Sequence, residues 1–167
     1  MERIALTVIL AAASTLAGRA ISSGMQRRVK ILDRLIHGLS LFRISAICRC
    51  VPLKYALKDA DVPIMSCVAD MLEESPSVSD AWHCVSMNAC KRGNDWDCLA
   101  QEELMELDRL FSNLGYTSGD AMDTEISASI ATLELIRNKA LEQAVTTGRL
   151  YTSIGCLTGL AVAVMLI

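Results

Sequence analysis

The sequence lacks the motifs by which most enzymes are recognised. It has no glycine-rich phosphate loop, no Gly-x-Ser-x-Gly elbow, no His-Glu-x-x-His motif and only two histidines. Paired acids such as Glu73-Glu74 are adjacent in sequence, so on a helix they diverge and cannot share a site. We therefore expect no enzymatic activity, no cofactor and no catalytic residue.

Paired cysteine motifs are also missing. The chain has seven cysteines but no Cys-x-x-Cys, so the spacing of a structural zinc site is absent and we expect no bound metal. In the cytoplasm these thiols would be reduced, whereas in an exported domain six of them could form three disulfides. The seven are Cys48, Cys50, Cys67, Cys84, Cys90, Cys98 and Cys156.

No stretch alternates apolar and polar residues in the manner of a strand, and helical periodicity takes its place. Apolar residues recur at three- and four-residue steps from Val29 to Phe42, which predicts an amphipathic helix. Pro52 and Pro63 each stand where a further helix would start. The sequence therefore predicts an all-α fold, in the form of a helical bundle.

Three more helices are predicted in the second half of the chain. The first has Ser77 as its N-cap, with Asp80 three residues later in a near capping box, and ends at Gly93. The second covers about Asp97 to Leu114, with Gly115 as its stop. The third is capped by Asp120 and runs without a break to about Arg149 and into the closing apolar run.

Two long runs without charge lie near the two ends of the chain. The last eighteen residues, 150–167, carry none, and as a helix they would reach about 27 Å, close to the ~30 Å core of a bilayer. Gly155 and Gly159 have the spacing that lets two helices approach closely. A second uncharged run covers 4–18 and is followed by several arginines. We expect both runs to be membrane helices, with the chain between them in the cytoplasm.

This interpretation divides the chain into an N-terminal transmembrane helix (1–25), a cytoplasmic helical bundle (26–148) and a C-terminal transmembrane helix (149–167). The alternative is an exported, disulfide-braced domain with a C-terminal anchor, since Ala11-Ala12-Ala13 resembles a leader cleavage site. A mature N-terminus near Ser14 would favour that alternative.

Charge is distributed unevenly between the anchors. Residues 19–58 carry nine Lys or Arg against Asp33 alone, whereas residues 59–149 carry six against seventeen acids. The basic stretch has few aromatics, so it favours contact with anionic lipid over nucleic acid. The acidic stretch is suited to a basic protein surface or to solvent.

Several short motifs, in order, resemble one family. "VPLKYAL" (51–57), "SVSDAW" (77–82), "LDRLFSNLG" (107–115) and the closing "LYTSIGCLTGLAVAVMLI" (150–167) are similar to stage III sporulation protein AB. The first two are also similar to the cytoplasmic domain of the type II secretion F protein. By position, the family's structural residues would be Pro52, Leu53, Leu57, Trp82, Leu114, Gly115, Gly155 and Gly159.

The resemblance implies a role that the spacing does not show. The family is a membrane-anchored scaffold in the mother-cell membrane around the forespore, where it docks a cytoplasmic secretion-type ATPase and contacts other membrane subunits of a transport complex. The chain departs from the family pattern at Arg43-Ile44, where an acidic residue followed by Ile is expected, and at Thr124, where Gln is common. We expect both positions to face partners.

Overall fold

The computed structural model describes the backbone of residues 2–89, 96–114 and 119–166, and the side chains of residues 23–87, 96–114, 119–147 and 153. Within these ranges the fold is all-helical, without a strand, as the sequence predicts. The helices are α1 (Glu2–Arg43), α2 (Leu53–Asp59), α3 (Pro63–Met71), α4 (Val78–Ala89), α5 (Gln101–Leu114) and α6 (Gly119–Leu166), and a short π-helix (Ile44–Cys48) follows α1.

The chain divides into two compact units. One consists of Met1–Val29 together with Asn138–Ile167, so it contains both ends of the chain, and the other consists of Lys30–Arg137. Among the described residues, no helix has an apolar stretch long enough to cross a membrane. The side chains of both predicted spans lie almost wholly outside the described residues, so these spans stay a prediction.

The predicted apolar face of α1 is confirmed in the Lys30–Arg137 unit. Leu32, Leu35, Leu39 and Phe42 are fully buried on that face. Gly38 lies among them because a Cβ at this position would overlap the side chain of Val62 and stand 3.0 Å from the carbonyl oxygen of Ala60. The glycine therefore lets α1 approach the α2–α3 connection closely. Glycine is unfavourable within a helix, and the sequence alone does not show why it stands at this position.

Two junctions with the same backbone pattern lead into α2 and α3. Cys50-Val51-Pro52 and Asp61-Val62-Pro63 each begin with a left-handed residue, with φ of 51° at Cys50 and 52° at Asp61. Each proline then begins or precedes a helix, where its missing N–H leaves no bond unmade. The prediction that both prolines open helices is confirmed.

The start of α4 is fixed by the predicted cap. The Ser77 hydroxyl accepts a hydrogen bond from the Asp80 N–H (3.1 Å) and donates one to the Asp80 carboxylate (2.7 Å). The cap satisfies one of the N–H groups that the first turn of a helix leaves without a partner. The predicted end of this helix, Gly93, lies outside the described residues.

Two predicted helix starts are wrong. α5 begins at Gln101 and not near Asp97, because Trp96 and Leu99 bury their side chains in a turn closed by the Leu99 N–H on the Trp96 carbonyl (3.2 Å). The buried Glu103 then accepts the Ala100 N–H, which is one half of a capping box. α6 begins at Gly119, so Asp120 lies in its first turn and does not precede the helix.

Candidate docking surface

The end of α1 is joined to the beginning of α6 by a two-bond ion pair. The guanidinium of Arg43 donates from Nε to one carboxylate oxygen of Asp123 (2.6 Å) and from Nη2 to the other (3.0 Å). Because the planar guanidinium makes two hydrogen bonds to one carboxylate, the pair fixes the relative orientation of the two side chains as well as their distance. The hydrogen bond from Arg43 lowers the pKa of Asp123, and the same bond raises the pKa of Arg43.

A second polar cluster joins α5 to α6 one turn further along. Arg109 on α5 donates to Glu106 (2.7 Å) and, more weakly, to Glu125 (3.5 Å) and to the buried Ser129 (3.4 Å). Asn113 donates to the same Glu125 carboxylate (2.7 Å). The hydrogen bond to Glu106 is the main cause of the raised pKa of Arg109. Together the two clusters fix the first three turns of α6 against α1 and α5.

Two uncharged residues that follow the partners of the Arg43–Asp123 ion pair in sequence are exposed to solvent. Ile44 follows Arg43 and is 45% exposed, and Thr124 follows Asp123 and is exposed. We call Arg43, Ile44, Asp123 and Thr124 the α1–α6 surface. The Arg43–Asp123 pair thus brings together the two places where the chain departs from the expected family pattern, although their role towards partners stays a prediction.

Basic side chains of α1 form a second candidate docking surface, for anionic lipid. Lys30 and Arg34 are one turn apart and both are exposed. Asp33 beside them accepts a hydrogen bond from Arg137 on α6 (2.8 Å), so its charge is compensated within the protein. Lys30 and Arg34 therefore present positive charge to solvent, as the predicted contact with anionic lipid requires.

The predicted structural residues are spread over the helices and do not form one site. Pro52 precedes α2 and its carbonyl accepts the N–H groups of two α2 residues (2.9 and 3.1 Å), while Leu53 is half-buried and Leu57 is buried. Trp82 on α4 and Leu114 on α5 are buried. Gly115 lies outside the described residues. Gly155 and Gly159 lie within α6, in a part of the helix for which only the backbone is described.

Trp82 makes two specific contacts with α5. Its ring stacks on that of Phe111, with centroids 4.6 Å apart and planes 17° apart. Its indole N–H donates to the Asp108 carboxylate (3.1 Å), so the one polar group of the side chain is satisfied. Trp82 therefore joins α4 to α5 by packing and by a hydrogen bond.

The thiols and acids form no metal cluster within the described part of the chain. Cys48, Cys50 and Cys67 are free, exposed thiols, while Cys84 is exposed and Cys98 is half-buried. Cys90 and the side chain of Cys156 lie outside the described residues.

The described part of the chain is all-helical, and the α1–α6 surface combines an ion pair with an exposed apolar side chain. The profile of the stage III sporulation protein AB family matches residues 3–167, so the chain belongs to that family along its whole length. No curated protein and no solved structure matches the chain.

Proposed function

We propose that this protein is a non-enzymatic, membrane-anchored scaffold of a sporulation-specific transport complex between mother cell and forespore. The observation that carries the proposal is the family match over residues 3–167, which assigns the chain to a sporulation family. In this role the protein holds other subunits in place, and it docks a cytoplasmic secretion-type ATPase.

The grouping of the two chain ends supports the anchoring part of the proposal. Met1–Val29 and Asn138–Ile167 fall into one compact unit, as two helices of a membrane hairpin would. The uncharged runs 4–18 and 150–167 lie within these segments. Lys30 and Arg34 directly follow the N-terminal segment and are exposed, so they can bind anionic headgroups beside the membrane.

Labelling of exposed thiols tests the orientation of the bundle. Cys67 is exposed on α3, whereas Cys98 is half-buried, so Cys67 is the better reporter. A variant that keeps Cys67 as its only cysteine is treated with a membrane-impermeant maleimide. We expect labelling only after the cells are permeabilised. Labelling of Cys67 in intact cells would instead support the exported alternative.

The α1–α6 surface supports the docking part of the proposal. It combines an exposed Ile44 with the Arg43–Asp123 pair, and partly exposed apolar residues next to fixed charges are typical of docking surfaces. The two polar clusters join the helices around this surface, α1 to α6 and α5 to α6. We therefore place the contact with the ATPase here.

The docking experiment compares two exposed apolar residues. Ile44→Asp puts a charge into the proposed interface, and Met105→Asp puts the same charge on the outer side of α5, where Met105 is 65% exposed. We expect Ile44→Asp to weaken co-purification of the ATPase at least about tenfold and to lower the count of heat-resistant spores. Met105→Asp should leave both unchanged. Equal loss in the two variants, or in neither, would refute this location.

A further inference from the structure

An exposed aromatic side chain follows Ile44 closely along the chain. Tyr55 on α2 is 58% exposed, and Ile44 at the start of the π-helix is 45% exposed. Between them Pro52 is exposed, and Ile47 and Val51 are half-buried. Burial of large apolar side chains is favourable, so a group of them left in solvent indicates a surface that another molecule covers.

Hydrogen bonds join the π-helix to the segment that leads into α2. The N–H of Arg49 donates to the carbonyl of Ile44 (3.1 Å), and the N–H of Val51 donates to the carbonyl of Ser45 (3.1 Å). The buried Ser45 also donates from its hydroxyl to the Asp59 carboxylate on α2 (3.3 Å). The chain therefore turns back between the π-helix and α2, and the two lie side by side.

Tyr55 lies on the face of α2 that meets the π-helix. It stands four residues before Asp59, and residues four apart share one face of a helix. Because Asp59 accepts the hydrogen bond from Ser45, which follows Ile44, the exposed Tyr55 and Ile44 belong to neighbouring parts of one surface. We call Ile44, Arg49 and Tyr55 the π–α2 surface. It adjoins the α1–α6 surface, with which it shares Ile44.

The π–α2 surface carries positive charge. Residues 43–58 contain four bases and no acid. Three of these bases pair with acids from other parts of the chain, namely Arg43 with Asp123, Lys54 with Glu73 and Lys58 with Asp70. Arg49 is exposed and pairs with no acid of the described residues. Apolar side chains beside an uncompensated guanidinium complement an apolar segment that carries an acid.

We propose that Tyr55 and Arg49 are further anchors of the docking surface, and that the ATPase segment bound there is apolar and carries an acidic residue. This inference rests on the docking part of the proposed function. Tyr and Arg often dominate the free energy of binding. A tyrosine ring buries a large area at a low cost in rotamer entropy, and a guanidinium makes two bonds to one carboxylate. Tyr55 contacts the apolar part of the segment and Arg49 its acid.

The test measures the Kd of the purified ATPase for the full-length chain in a mild detergent, at low and at high salt. Tyr55→Ala should raise the Kd at least about tenfold, whereas Tyr55→Phe keeps the ring and should change the Kd less than about threefold. Arg49→Gln should raise the Kd at low salt and make it less dependent on salt, because salt screens the attraction between Arg49 and the acid.

Met105→Ala is the matched control. It truncates another large exposed side chain, on α5, and should leave the Kd unchanged at both salt concentrations. Circular dichroism checks that every variant keeps its helix content. If Tyr55→Ala loses helix content, Tyr55→Gln removes the ring with less loss of bulk and should raise the Kd to a similar extent.

The outcomes separate this inference from the docking proposal. If Ile44→Asp weakens binding and neither Tyr55→Ala nor Arg49→Gln does, the docking location stands and the further anchors are wrong. If none of the three weakens binding, both proposals are wrong. A salt dependence that Arg49→Gln leaves unchanged would refute the acidic residue of the partner segment, and an equal loss in Met105→Ala would refute the anchors.

Two further measurements on the same variants identify another occupant of the π–α2 surface. Phosphatidylglycerol vesicles are the first probe, and the mass of the chain in detergent is the second. Suppose that Tyr55→Ala and Arg49→Gln leave ATPase binding unchanged. Loss of vesicle binding would then assign the surface to lipid, and loss of a wild-type dimer would assign it to a second copy of the chain. Either result would overturn the inference.

Discussion

Two helix pairs of the Lys30–Arg137 unit are held together in different ways. α4 and α5 are joined by Trp82, which is buried, stacked on Phe111 and hydrogen-bonded to Asp108. Two exposed ion pairs connect α2 to α3 and to the turn that follows it, from Lys58 to Asp70 (2.7 Å) and from Lys54 to Glu73. α4 and α5 thus share a large buried ring with its own hydrogen bond, whereas α2 and α3 bury smaller apolar side chains such as Leu57 and Met65 and add ion pairs in water.

The difference shows which contacts carry stability in this unit. Burial of an aromatic ring removes a large apolar area from water, whereas an exposed ion pair gains little because solvent screens it. The α2–α3 pair also relies on Gly38 of α1, which gives its connection room to pack. We therefore expect substitutions to matter most at Trp82, less at Gly38 and least at the ion pairs.

The largest effect is expected at Trp82. Trp82→Ala removes the stacked ring and leaves a cavity, which should lower the free energy of unfolding by about 3–5 kcal/mol. Urea denaturation of the full-length chain, followed by circular dichroism, measures this change.

Trp82→Phe is the matched variant. It keeps an aromatic ring over Phe111 and loses the hydrogen bond to Asp108, whose carboxylate remains solvated because Asp108 is exposed. Trp82→Phe should lower the free energy of unfolding by less than half as much as Trp82→Ala does. If the two variants lost the same free energy, the hydrogen bond and not the packing would be the main contribution.

An intermediate effect is expected at Gly38. Gly38→Ala places a Cβ against Val62 and should destabilise the protein by about 1–3 kcal/mol through overpacking. Gly24→Ala is the control on the same helix, because a Cβ there meets nothing within 4 Å. It should stabilise α1 by about 0.5–1 kcal/mol, since alanine is the better helix former.

A double variant identifies the cause of the Gly38 effect. Val62→Ala removes the methyl groups that the new Cβ would meet. Gly38→Ala/Val62→Ala should therefore lose less free energy than the sum of the two single variants. Strict additivity would mean that the close approach to Val62 is not what requires glycine.

Local signals explain the parts of the fold that the sequence predicts well. The apolar face of α1, the prolines before α2 and α3 and the Ser77 cap of α4 each depend on residues within a few positions of one another. The start of α5 was mispredicted because Trp96 and Leu99 continue an apolar pattern, although their burial in the folded protein requires a turn.

Local sequence signals could not locate the α1–α6 surface. Arg43 and Asp123 are eighty residues apart in sequence, and their pairing exists only because α1 and α6 meet. The α5 contacts of Arg109 with Glu125 and Ser129 have the same origin. The sequence marked Arg43-Ile44 and Thr124 separately as departures from a family pattern, and the pairing of Arg43 with Asp123 brings the two positions near each other.

The smallest effect is expected at the exposed charges of α2 and α3, where it is visible in a titration and not in the unfolding curve. The pKa of Glu73 is lowered, first by the hydrogen bond from Lys54 and to a lesser extent by the charge of Lys58. The stabilisation from this pair is therefore present above the ordinary glutamate pKa of about 4.3 and is lost as the pH falls through the lowered value. We expect Lys54→Gln to return the NMR titration midpoint of Glu73 towards the ordinary value and Lys58→Gln to move it less. Equal shifts in the two variants would mean that general positive charge on α2 acts on Glu73, without a specific bond from Lys54.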